Sequence, residues 1–156
     1  FINNLPPGSR TLFYGEAQTL YCTGDAIAPT VFDENPLDEI VRTAKSADDI
    51  RHRLNRLGIT HIYANLAELH RLQWSYAFEH EGRMRHGYSS FLGGEPKRSH
   101  LPRFLATHCR VIHPELPPGL PQRALDRAFV EEMSHHDRGR GPGAPIGHFI
   151  YELRQP

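Results

Sequence analysis

Lysine is nearly missing from this chain. Lys45 and Lys97 are the only two, and arginine supplies the rest of eighteen basic residues, which eighteen acidic residues cancel to a formal net charge of zero. A balanced chain carries no global field toward nucleic acid or an anionic lipid surface, so neither is expected as a partner. Cysteine is scarce too: Cys22 and Cys109 stand alone. Two thiols leave open a single bridge in an oxidising compartment or two buried free groups. No apolar run approaches the roughly 18 residues needed to cross a bilayer. Phosphate-cradling glycine patterns and a nucleophile elbow are both wanting, so neither nucleotide cofactor chemistry nor acyl transfer has a sequence basis. The chain also lacks an initiating methionine: it opens on Phe1 and FINNLPPGSR enters a strand almost at once. It reads as an excised or processed piece of a longer protein.

What is present suits one α/β domain. The 156 residues suffice for a single core, and thirteen prolines with thirteen glycines imply generous loops. RTLFYGE, residues 10–16, is a short apolar run ended by Gly15 and predicts a buried strand. TVFDE, residues 30–34, predicts a second, weaker one. Asn35 is an N-cap, with Pro36 at the first helical position and Asp38 and Glu39 in the first turn. Ser46 caps the next helix with Asp49 three residues on, and Ile50, Leu54 and Leu57 form its buried stripe. Gly58 suits a left-handed stop. Residues 59–66 then predict a strand with Ile62, Ala64 and Leu66 on one face and His61, Tyr63 and Asn65 on the other. Asn65 and Glu68 form a second capping box, and WSYAF, residues 74–78, can continue that helix. LPRFLATHC predicts a helix, CRVIHPE a strand, residues 124–133 a modest helix and HFIYELR a closing strand. The expected fold is a two- or three-layer α/β sandwich of about five strands, mostly parallel with a C-terminal antiparallel strand, flanked by helices. Residues 1–9 are read as a tether and 116–146 as a loop-rich insertion.

The ordered set LFYGEA, VFDENPL, LNRLGITHIYANLAEL and FIYELR resembles the soluble C-terminal domain of polytopic bacterial glycosyltransferases of the dolichyl-phosphate-mannose mannosyltransferase and aminoarabinose transferase type. The resemblance covers most of residues 1–110 and 147–154. It implies an extracytoplasmic (periplasmic) accessory domain that covers a membrane-embedded site or contacts the acceptor. Its partners would be the membrane-embedded portion of the same polypeptide and a carbohydrate or protein acceptor. The family's catalytic acids lie in loops between membrane helices. Nothing here corresponds to them, so the resemblance implies no catalytic residue in this chain and no cofactor.

Read for chemistry, Glu16, Asp33 and Glu34 fall at or beyond predicted strand ends, and Asn65 and Glu68 join them if the strands are parallel. Open α/β sheets bind ligands at that edge. Carboxylates there can hydrogen-bond sugar hydroxyls or hold a cation; as turn and cap residues they need no ligand at all. Eleven histidines raise the question of zinc. The adjacent His135 and His136, His80 with His86, and His108 with His113 all lack a metal-motif context, so no metal site is expected. Trp74, Tyr76 and Phe78 are either a carbohydrate platform or core. The alternative function is an independent domain binding a sugar or nucleotide; a third reading is a soluble enzyme using histidines.

Overall fold

A computed structural model describes residues 1–16, 19, 21–30, 33, 35–65, 68, 77–80, 83–86, 100–113, 122–123, 126–127 and 148–154, with the backbone alone for 77–80 and 83–86. A 3-10 turn, Ile2–Asn4, precedes strand β1 (Arg10–Tyr14) and the short β2 (Asp25–Ile27). Helices α1 (Pro36–Thr43) and α2 (Ala47–Arg56) lead to β3 (His61–Asn65). A hairpin, β4 (Ala77–His80) and β5 (Arg83–His86), forms its own two-stranded sheet. Helix α3 (Leu101–His108) runs into β6 (Cys109–His113), and β7 (His148–Leu153) follows. Among the described residues no helix is long and apolar enough to cross a membrane.

The main sheet has the order β2-β1-β3-β7-β6. β1 pairs parallel with β2 and β3, whereas β7 pairs antiparallel with both β3 and β6. The sheet is therefore mixed, not mostly parallel. The C-terminal strand is antiparallel as expected, and β7 inserts between β3 and β6, so both of its ladders run antiparallel.

The caps are as the sequence prescribes. The Asn35 side chain accepts from Leu37 N at 2.9 Å, and Ser46 Oγ accepts from Asp49 N at 3.1 Å. Each such cap is worth about 1 kcal/mol. Gly58 stops α2 at φ +72°, with Ile59 N donating to Leu54 O at 3.0 Å and Gly58 N to Asn55 O at 2.9 Å. Those two bonds are the Schellman closure, which needs a residue free to turn left-handed. Arg10 then ties this stop to the sheet, donating to Leu57 O at 2.8 Å and to Asp25 at 2.7 Å.

Helices α1, α2 and α3 cover one face. Leu37, Ile40, Ile50, Leu54, Phe104 and Leu105 pack on Leu12, Tyr14, Ile62, Ala64, Phe149 and Tyr151 in a single core. Period-two alternation sends their strand neighbours Phe13, Tyr63 and Ile150 to the opposite face. Two buried polar contacts bind α1 to β1. The Tyr14 hydroxyl donates to Asp38 Oδ1 at 2.6 Å, and Asn35 Nδ2 donates to Phe13 O at 2.9 Å. β2 ceases to pair with β1 after Leu12, and Asn35 takes the next carbonyl along.

At the far edge, Gln122 imitates a strand. Its Oε1 accepts from Val111 N at 3.2 Å and its Nε2 donates to Cys109 O at 3.1 Å, occupying backbone groups of β6.

Two expected elements differ. The second strand is Asp25–Ile27; of the expected 30–34, the described Thr30 and Asp33 lie in no strand, and the Asp33 carboxylate takes Thr30 N at 3.1 Å and Thr30 Oγ1 at 2.7 Å. A short carboxylate that captures nearby donors competes with a ladder. Likewise Ala77 and Phe78 open a strand and do not continue a helix. Cys22 and Cys109 are both free thiols, the first half-buried and the second buried.

Candidate functional site

The face opposite α1, α2 and α3 carries a cleft of about 360 Å³ at the carboxyl ends of β1 and β3. Phe13, Tyr63 and Ile150 form its floor, Glu16 stands at one end, and His113 and His148 at the other. The positions follow from strand register. Glu16 lies just past β1, after Gly15, whose φ of +78° turns the chain. Asn65 ends β3 and pairs with His148 at the start of β7.

Glu16 is oriented by Asn65, whose Nδ2 donates to Glu16 Oε2 at 3.3 Å. Asn65 Oδ1 meanwhile accepts from Glu68 N at 3.1 Å, so one amide both takes a backbone N–H and steers a carboxylate. Burial first, and then the Glu16 carboxylate, raises the Tyr63 phenol above its ordinary range. Tyr63 therefore remains neutral and can both donate and accept at its hydroxyl.

An unbroken row of rings crosses the strands. Phe13 and Tyr63 lie 5.0 Å apart between centroids, Tyr63 and His148 5.6 Å, His148 and His113 5.5 Å, and His113 and Phe1 4.8 Å. His113 joins the row through an irregularity. Val111 pairs with Tyr151, but His113 pairs with Ile150, so Ile112 is an extra residue in β6. Simple alternation would have sent His113 to the helix side with Cys109 and Val111. The bulge re-aims it into the cleft. Burial, and then neighbouring His148, lowers the basicity of His113, which favours the uncharged ring.

Of the expected site residues, the structure brings together Glu16 and Asn65, with Glu68 contributing its backbone N–H. Asp33 does not join them: it is exposed and engaged with Thr30, whose side-chain and backbone hydrogen bonds lower its pKa. Glu34 lies outside the described residues, as do Trp74, Tyr76, His135 and His136. His80 and His86 pair with opposite ends of the hairpin, and no cluster among the described residues could hold a metal ion. The cleft residues missed from the sequence are chiefly Phe13, His113 and His148. The alternating face of HFIYELR could have pointed to His148; no local pattern announces the bulge that recruits His113.

Compared with family models, curated proteins and solved structures, the chain matches none.

Proposed function

We propose that this chain is a non-catalytic small-molecule-binding α/β domain whose ligand, a single sugar-sized ring, lies in the cleft opposite α1, α2 and α3. One observation carries the reading: a carboxylate held by an amide, Glu16 on Asn65, sits beside the aromatic floor of Phe13 and Tyr63. A sugar ring presents hydroxyls at its rim and C–H groups on its face, and such a site answers both. The volume of about 360 Å³ lies within the range of small-ligand pockets. A nucleotide fits less well, because no arginine or lysine is among the described lining residues.

A second reading sets this domain in a larger context, as the extracytoplasmic accessory domain of a membrane glycosyltransferase-like protein. It is supported by the side-by-side placement of three of the motifs that carry the resemblance, in β1, β3 and β7, with the fourth beginning α1.

Titration of the labelled domain with methyl glucoside and, separately, with AMP tests the first reading. The glucoside should shift amide resonances of Gly15, Glu16, Tyr63 and His148. Shifts confined to other regions, or none, reject it. Upstream gene sequence tests the second: several apolar spans before Phe1 support it, and their absence rejects it.

A further inference from the structure

Tyr63, His148 and His113 stand in sequence along the cleft, and their ring faces are largely taken by one another. Tyr63 lies between Phe13 and His148, His148 between Tyr63 and His113, and His113 between His148 and Phe1. His113 stacks on its two neighbours with 20° and 30° between the planes, and those neighbours make no ring contact with each other. Rings stacked in this way present edges, not faces, to whatever enters from the side. The edge of a tyrosine holds its hydroxyl, and that of an imidazole holds its nitrogens. Phe13 and Ile150 remain as the apolar part of the floor.

None of the three edges is spent inside the protein. Among the described residues the Tyr63 hydroxyl and the ring nitrogens of His113 and His148 take part in no hydrogen bond, yet all three side chains line the cleft. The two histidines differ in exposure. His148 is exposed, so water replaces any partner it loses, whereas His113 is half-buried. His113 is also the one that reaches the cleft only through the extra residue in β6. An uncharged imidazole has one donor and one acceptor, which a hydroxyl can match in either sense. Burial favours that uncharged form of His113 at neutral pH.

We infer that His113 is a specificity-determining residue of the cleft: its ring edge hydrogen-bonds the ligand hydroxyl that lies farthest from Glu16. The inference rests on the cleft being a sugar site, and it states how the end remote from Glu16 is read. A ring of the same size without a hydroxyl at that end leaves the half-buried imidazole edge unmatched, so it binds more weakly.

The test is a titration of the whole chain with methyl glucoside at pH 7.5, with the His113 ring nitrogens followed by long-range 1H–15N correlation. Their shifts should move together with the Gly15 and Glu16 amides. The monodeoxy methyl glucosides, each lacking one hydroxyl, are then compared between wild type and His113→Phe, which keeps a ring for Phe1 and His148 to stack on. One of them should bind wild type about three- to tenfold more weakly than the parent glucoside, and that deficit should vanish in His113→Phe. If Gly15 and Glu16 shift while the His113 nitrogens stay still, or if every deficit persists in the variant, the role of His113 is overturned and the sugar site stands. No shift in the cleft rejects the sugar site and this role with it. The wild-type ring-nitrogen shifts settle the question if His113→Phe does not fold.

Discussion

Asn35 offers the sharpest test of how this fold is held, because its amide does two jobs that an aspartate would split. Its oxygen caps α1 through Leu37 N, and its nitrogen reaches the buried Phe13 carbonyl, each at 2.9 Å. In Asn35→Ala the cap is lost at about 1 kcal/mol, and a buried carbonyl loses its donor at about 1–3 kcal/mol. The combined loss is about 2–4 kcal/mol, which for a chain of this size lowers Tm by roughly 4–16 °C. Asn35→Asp is more telling. Aspartate normally caps as well as asparagine, so a role confined to capping predicts no loss. Here the replacement keeps the cap but sets an anionic oxygen against the Phe13 carbonyl, and a loss of about 2 kcal/mol or more is expected at pH 7. Burial against that carbonyl raises the introduced carboxyl's pKa in the folded state. Stability tied to its protonated form is therefore present below the unfolded value near 3.9 and is lost as pH rises through the folded value. The gap to wild type should narrow on acidification, as the protonated carboxyl regains a donor for Phe13. Urea unfolding at pH 7 and pH 4 measures both effects. An Asn35→Asp variant as stable as wild type at pH 7, or a gap that does not depend on pH, would refute the two-job account.

His61 is buried with its Nε2 lacking a partner among the described residues, and desolvation lowers its pKa despite nearby Glu152. Its contribution is present above pH 6.5 and lost as pH falls through the folded value, so His61→Leu should flatten the decline of Tm between pH 7.5 and 5. An equal slope in the two proteins would count against it. Burial raises the pKa of Asp126, outweighing its hydrogen bonds with Tyr151 and Gln122. A raised acid stabilises below 3.8 and loses that contribution as pH rises through the folded value. Asp126→Asn should thus melt above wild type at pH 7, with the difference closing toward pH 3.5; a lower melting point at neutrality would contradict this. Gln122→Ala removes both side-chain partners of the β6 edge, costing about 1–3 kcal/mol. Light scattering during thermal unfolding should also begin earlier, and an unchanged onset would argue that the edge is guarded by something else.

Helices α1, α2 and α3, and the caps of α1 and α2, were legible because their signals are local. Asn35-Pro36, Ser46 with Asp49, and Gly58 each determine a structure within four residues of themselves. Strand identity was less local. Asp25–Ile27 has little strand propensity to advertise and forms through its ladder with β1, while Thr30 and Asp33, read as part of a strand, instead bond each other. At the site, Glu16 and Asn65 could be anticipated because strand ends in α/β sheets converge. The histidine pair could not, since the partners are 35 positions apart in sequence and meet through one extra residue in β6.

The strand order has a consequence for biosynthesis. β7 comes last in the chain order of the sheet, yet it lies between β3 and β6. Until it emerges from the ribosome, β6 and α3 have no strand through which to join the parallel half built from β1, β2 and β3. A premature stop upstream of residue 148 would therefore do more than shorten an edge: it would remove both ladders that join β3 to β6, leaving the two parts of the sheet linked only through the packing of α3 on α2. Loop closure this long also slows folding, and the nascent polypeptide must keep the unpaired edges of β3 and β6 from aggregating in the meantime.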